Sequence, residues 1–284
     1  MIRVGMSTSC VFPLPLEDAF RLASIAGFDG VEIMVTGDKA TQDVAALRSL
    51  SRSYRMPILS IHAPVLLATQ LVWGVRPQIK LERSAALARD VGASTVVVHP
   101  PFIFQAAYSR VFEQTVEAVG ERYGVEVAVE NMFTWTIGGR DVRAYSPSPY
   151  PTDLNVSAMT LDFSHAALAR RDSLEFALAM GSRLRHLHLC DGLGTTLLDE
   201  HLIPGRGSQP VAEVLAYLVR AGWNGSLVAE VHTHRARTTD ARLAILAETL
   251  DFARTAIAPR VTTRSPVPAR GRERAGLGER RAAR

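Results

Sequence analysis

A helix-like stretch, a glycine and a short apolar run recur five times along the chain. The copies are "ASIAGFDGVEIM" around Gly27, "ARDVGASTVVVH" around Gly92, "GERYGVEVAVE" around Gly124, "LAMGSRLRHLHL" around Gly181 and "VRAGWNGSLVAE" around Gly222. Glycine just past a helix is the usual left-handed terminator, because it lacks the Cβ that penalises positive φ. Before Gly27, Leu16, Ala19, Phe20 and Ala23 keep helical spacing, with Pro15 near the start. The runs after each glycine are too short for helices and rich in Val and Ile, as strands buried on both faces are.

Adding the less marked strands predicts eight, at 2–7, 29–34, 57–62, 94–99, 125–130, 158–162, 184–189 and 225–230. Helical patterns lie between them, at 15–26, 41–53, 77–91, 106–123, 166–180, 208–221 and 239–256. The prolines of 133–153 predict a long loop over one end of the sheet instead of a helix. Eight strands alternating with helices make an α/β protein, a (β/α)8 TIM barrel, in one domain over residues 1–257. A doubly wound open sheet is the rival, but no Gly-x-Gly-x-x-Gly follows the first strand, which argues against a dinucleotide-binding version.

Charge changes the picture only once it is divided. The whole chain is +4, but the stretch 258–284 carries eight arginines and two glutamates, so residues 1–257 hold 24 basic and 26 acidic residues, a net of −2. That Pro-, Gly- and Arg-rich tail is expected to be disordered. The barrel is therefore not a basic nucleic-acid-binding body. Two cysteines, Cys10 and Cys190, are too few for a disulfide framework, and no signal peptide or membrane span is legible. A cytoplasmic location with no membrane partner is the expectation; the oligomeric state is open, a homodimer included.

In such a barrel the active site lies at the C-terminal ends of the strands. That position reads Glu32, His62, His99, Glu130, Asp162, His188 and Glu230 on seven of the eight predicted strands, and His165, Asp199 and His201 follow closely. A lone strand-end histidine is ordinarily hydrogen-bonded structure, Glu32 suits an arginine partner, and Asp162 suits a helix cap. Seven such explanations at once are improbable, and buried charges need pairing or a metal. Imidazole and carboxylate donors without thiolate suit Zn, Mn, Fe or Co better than Ca or Mg, with one or more ions per chain. In "RHLHLCDG", strand alternation sets His186, His188 and Cys190 on one side. His188 is then the candidate ligand, with His186 one layer deeper, Cys190 a small buried residue and Asp191 orienting a ligand or the following loop.

The motifs "IHAP", "VVVHPP", "VAVEN", "LDFSH", "HLHLCD", "DEHLIPGRG" and "VAEVH", in this order at strand ends, resemble those of the xylose isomerase-like TIM barrels. That group includes sugar phosphate isomerases and epimerases and the endonuclease IV-type abasic-site nucleases, and the resemblance covers about residues 1–256. In the isomerase branch it implies one divalent ion on Glu130, Asp162, His188 and Glu230, with Glu130 and Glu230 as the catalytic proton carriers. In the nuclease branch it implies a three-zinc cluster on those four with His62, His99, His165, Asp199 and His201, and all nine are present. The chain departs from the nucleases in having Val65 after "HAP", "ENMFTW" after the strand glutamate and "LCD" for "LND". Nucleic acid is thus disfavoured as a partner, also by the net charge. The reading is a divalent-metal-dependent (Zn, Mn or Co) isomerase or epimerase of a small sugar, sugar phosphate or polyol. An abasic-site endonuclease with a multi-zinc site is the alternative. Arg206 is the candidate contact for a phosphate or the substrate rim, and Trp135 for stacking on a sugar face.

Overall fold

The computed structural model describes residues 2–137 and 140–258; the basic tail predicted from 258 onward therefore falls, beyond Ala258, outside the described residues. Eight parallel strands close into a barrel. They are β1 (Arg3–Ser7), β2 (Gly30–Met34), β3 (Ile58–His62), β4 (Thr95–Val98), β5 (Glu126–Glu130), β8 (Met159–Asp162), β9 (Leu184–Leu189) and β10 (Ser226–Ala229). Around the barrel they run β1, β10, β9, β8, β5, β4, β3, β2, and β2 pairs back onto β1. The (β/α)8 expectation holds.

The connecting helices are α1 (Leu16–Ala26), α2 (Val44–Tyr54), α3 (Pro77–Val91), α4 (Ala106–Ser109), α5 (Phe112–Tyr123), α6 (Phe163–Leu168), α7 (Ser173–Met180), α8 (Val211–Arg220) and α9 (Thr239–Ile257). Two predicted helices are each broken in two, at 110–111 and at 169–172. The second break holds Arg170 at a φ of 53° and Asp172, whose carboxylate accepts from Leu174 N and starts α7 afresh. The region 133–153 is not wholly loop. It carries an antiparallel pair of β6 (Thr134–Ile137) and β7 (Arg140–Arg143), which pattern reading missed because the two strands are short and mostly polar. No described helix is long and apolar enough to cross a membrane.

All five module glycines have positive φ; Gly27, Gly92 and Gly124 are left-handed helix terminators as expected, whereas Gly181, with φ 53° and ψ −128°, ends its helix in a different conformation. The main core lies between barrel and helices, where Ile33, Ile61, Val96 and Leu187 meet Phe20, Leu47, Leu81 and Phe112. At the barrel floor, β2 and β3 slip register: Val31 pairs Ile58 but Glu32 pairs Ser60. The extra residue, Leu59, is 1% exposed and packs against Gly5 and Gly30. A Cβ on Gly30 would stand 2.5 Å from Pro57 O, and backbone cannot swing aside as a side chain can.

Two anchors shape the loops at the other end. The buried Lys80 ammonium donates to Pro64 O at 3.1 Å and Thr69 O at 2.7 Å, pinning the loop after β3. Asp191 straps the loop after β9, as its position suggested. Its Oδ1 accepts from Gly192 N and Gln209 N at 2.8 and 3.2 Å, and its Oδ2 from Gly205 N and Gly207 N at 2.9 and 3.0 Å.

Gly30→Ala is expected to destabilise the barrel by about 1–3 kcal/mol through overpacking, read as a lower denaturation midpoint. Asp191→Ala leaves four N–H groups without their acceptor, and a loss of at least about 3 kcal/mol is expected in chemical denaturation, with new protease cleavage within 192–209. Unchanged cleavage would show that the loop is held by other contacts.

Candidate metal centre

The strands deliver their chemistry to one mouth. His62, Glu130 and Asp162 are the last residues of β3, β5 and β8, His188 is next to last in β9, and His99 and Glu230 follow β4 and β10 directly. His165 lies in the first turn of α6, and Asp199 and His201 in the loop that Asp191 holds. All nine belong to one connected network. His188 sits at its centre: Nδ1 is 2.8 Å from Glu130 Oε1, 2.9 Å from Glu230 Oε2 and 3.6 Å from Asp162 Oδ2. Glu130 Oε2 is 3.0 Å from His99 Nε2 and 3.4 Å from His62 Nε2. Asp199 Oδ2 joins His165 Nε2 at 3.1 Å to His201 Nε2 at 2.8 Å.

Glu32, expected at a strand end, lies two residues inside β2 and is fully buried. Its partner is not an arginine. Oε2 accepts from Ser60 Oγ at 2.7 Å and faces His186 Nε2 at 3.0 Å, and Oε1 is 3.2 Å from His188 Nε2. His186 thus lies one layer below the mouth, as strand alternation implied, and reaches His188 through Glu32.

The charges lean on each other. Burial alone would raise every carboxyl, but His188 and His99 outweigh it at Glu130 and hold that group well below the usual carboxylate range. His188 does the same for Glu32, and for Glu230, which is lowered to about 2. At Asp199 the opposing rings are His201 and His165. Burial would conversely lower the imidazoles; the carboxylates Glu230 and Glu130 override it at His188, Asp162 and Asp199 at His165, and Asp199 at His201, raising all three well above the usual value. At His99 and His186 burial prevails and favours the neutral ring. Burial pushes the thiols of Cys10 and Cys190 up to about 12, so neither serves as a thiolate.

The histidines are held as ligands are. His62, His165 and His201 each donate Nδ1–H to a main-chain carbonyl, of Ala63, Asn131 and Glu230, at 3.0, 3.0 and 2.6 Å. That leaves each Nε2 aimed at a carboxylate inside the mouth. His188 is reversed, with Nε2 on Glu32 and Nδ1 inward. One ring nitrogen bonded outward and the other turned onto acidic oxygens is the arrangement that fixes a metal-binding tautomer. Glu130 Oε2, moreover, forms no aligned hydrogen bond despite its two imidazole neighbours, a close approach typical of donors that share an ion. Candidate ligand atoms of Glu130, Asp162, His188 and Glu230 lie within 4.8 Å of one another, as do those of His165, Asp199 and His201. These donor sets fit a divalent cation.

Two sequence expectations come out differently. Arg206 does not face the mouth: its Nη2 pairs with Glu248 of α9 at 2.6 Å, because Gly205, at a φ of 83°, turns the chain outward there. Trp135 packs edge-on against Phe133, with centroids 5.0 Å apart, and its Nε1 donates to Leu197 O at 3.3 Å, which ties β6 to the loop after β9. Residues that pattern reading missed complete the network. Asn131 accepts from Asp162 N and donates to Asp162 O, locking two ligand-bearing strands together. Ser164 Oγ donates to Asp199 Oδ1 at 2.6 Å and accepts from His201 N. Ser9 Oγ donates to Glu230 Oε1 at 3.0 Å. Asn131, inside "VAVEN", and Ser164, inside "LDFSH", stood in conspicuous motifs; Ser9 stood in none of them.

Comparison with known proteins gives this geometry its relatives. An uncharacterized protein of Mycobacterium tuberculosis (strain ATCC 25618 / H37Rv) is 48% identical over 273 residues, covering 89% of this chain and 97% of the relative. The fructoselysine 3-epimerase of Escherichia coli O157:H7 is 23% identical over 257 residues, covering 82% and 91%. Among solved structures, that of the IOLI protein with a binding zinc atom matches with a TM-score of 0.68 at 17% identity, covering 91% of this chain and all of that one. The model of the xylose isomerase-like TIM barrel family matches residues 20–256, and the chain belongs to that family.

Proposed function

We propose that this barrel is a divalent-metal-dependent isomerase or epimerase of a small sugar or a related polyol. The observation that carries the reading is the placement of two ionised glutamates, Glu130 and Glu230, within 3 Å of one inward-facing imidazole nitrogen, with Asp162 beside them. The relative named fructoselysine 3-epimerase supports a sugar as substrate class, and the zinc of the IOLI structure supports a metal.

Glu130, Asp162, His188 and Glu230 would hold the ion. When bound, it supplies the positive charge that polarises a substrate carbonyl and acidifies the neighbouring C–H. In the barrel order β10 lies on one side of β9, and β8 and β5 on the other, so Glu230 and Glu130 approach His188 from two flanks. An ionised glutamate on one flank takes the proton from carbon; the glutamate on the other flank delivers one to the opposite face, which inverts that centre. Return on the same face at the adjacent carbon gives isomerisation instead. Ser9 Oγ and the His188 ring hold Glu230 ionised and aimed. Glu32 holds His188, so its carboxylate orients the site without touching substrate.

A second reading, phosphodiester hydrolysis, draws on the separate His165, Asp199 and His201 donor set, which offers room for further ions. The net −2 of residues 1–257 weighs against a duplex partner.

Glu230→Gln is expected to lower solvent-deuterium exchange at the substrate carbon by about 10²–10⁴-fold; full exchange in that variant would sink the proton-transfer reading. Elemental analysis of the native protein is expected to find one Mn, Co or Zn per chain. Three zinc ions per chain, together with incision of an abasic duplex, would replace this reading with the hydrolytic one.

A further inference from the structure

Beside the acidic cluster, the loops that follow β1, β2, β3 and β10 enclose a cavity of about 710 Å³. Its wall is apolar over most of its extent, with Phe12, Leu14, Met34 and Leu66 facing it. Its inner end meets the candidate centre at two points. Ser9 lines the cavity and donates to Glu230, and His232 lines it with its ring 4.8 Å from that of His201. The volume lies within the range of about 300–1,000 Å³ that buries drug-sized ligands, more than a bare monosaccharide requires.

Among the described residues no lysine or arginine lines this wall. Its ionisable groups are Asp38, which spends Oδ1 on Ala40 N, and the imidazoles of His232 and His234. The helix that starts at the wall, α1, offers no phosphate cradle, because its cap is Pro15 and its first turn carries Glu17 and Asp18. Lys39, Arg235 and Arg237 flank these loops but stand exposed outside the wall. An arginine-bordered hollow at Arg170 and Arg171 shares no residue with the cavity. Phe12 is 68% exposed and Leu66 39%, so two large apolar side chains at the lip lack cover from the chain itself. The Lys80 anchor holds the Leu66 loop in place, and the apolar surface is preformed.

Resting on the isomerase or epimerase reading, we propose that the substrate is an unphosphorylated sugar bearing an apolar substituent. The sugar reacts at Glu230 and Glu130, and the substituent lies between Phe12, Leu14, Met34 and Leu66. Burying an aryl group there raises affinity, whereas a phosphate would lose its hydration with no lysine or arginine to meet it.

The test compares D-fructose, its 1-O-benzyl and 6-O-benzyl ethers, and its 1- and 6-phosphates on the metal-loaded protein. Deuterium incorporation reports proton transfer, and calorimetry reports binding. At least one benzyl ether is expected to show a KM and a Kd at least about tenfold below those of fructose, with neither phosphate better than fructose. In Phe12→Ala and in Leu66→Arg, both at exposed positions where folding is spared, the benzyl advantage is expected to shrink about tenfold. A preferred phosphate, equal binding of all five sugars, or a benzyl advantage untouched by both variants overturns the inference. Tight, Phe12-dependent binding of a benzyl ether without deuterium exchange in any sugar upholds it and defeats the proton-transfer reading instead.

Discussion

Everything at the barrel mouth depends on the neutralisation of Glu32, Glu130, Asp162 and Glu230, four carboxylates that are at most 7% exposed. A carboxylate in such surroundings is costly unless a counter-charge and hydrogen bonds meet it. All eight histidines of the chain gather there, six of them buried and His232 and His234 at the rim. Among the described residues no arginine or lysine pairs with the four. The chain thus answers buried negative charge with groups that give up protons near neutrality, where a permanent cation such as arginine would bar a divalent ion. On the proposed reading, protonated imidazoles and a metal ion would be alternative occupants of the same electrostatic well, and binding the second would displace the first.

The scaffold makes this tolerable by being conventional elsewhere. The ladder register fixes each ligand's height: Asp162 pairs with His188, and Glu32 with Ser60, so neighbouring strands present their polar groups at matched levels. Below them Leu59 plugs the floor over Gly5 and Gly30, which keeps water from the underside. Outside, each strand's alternate residues join the apolar layer under the helices. A strained or wet barrel would let the carboxylates relax away from one another, and the network would lose its convergence.

What the sequence revealed, and what it withheld, follows from range of interaction. Strands, helices and glycine stops are local, so the (β/α)8 order was legible, and with it the height of the strand-end residues other than Glu32. Residues whose direction depends on a distant partner were not. Arg206 stands in a motif-like "GRG", yet its direction is set by the turn at Gly205 and by Glu248, 42 positions onward. Glu32 reads as one more rim carboxylate; the slip between β2 and β3 and its bond to Ser60 set it deeper. Ser9 stands in none of the quoted motifs and Ser164 sits unremarked inside "LDFSH", since a single hydroxyl becomes meaningful only when the barrel closes around it. The antiparallel pair of β6 and β7 escaped because its strands are four residues each and largely polar.

The mouth is divided, and the division follows the order of strands. Carboxylates and imidazoles crowd the half built by β3 to β5 and β8 to β10, where short strand ends and the Asp191 strap hold them rigidly. The hollow walled by the loops after β1, β2, β3 and β10 is mostly apolar and joins the charged cluster through Ser9 and His232. The two halves obey different constraints. Moving a ligand on β5 or β9 by one residue would turn it to the other face of its strand and unbalance every charge around it. Changing Phe12 or Leu66 alters only contact area, at a lip where nothing else depends on it. Such a molecule keeps its chemistry fixed while its loops are free to redefine what is brought to it. On the proposed reading, the apolar lip rather than the acidic cluster would decide substrate choice.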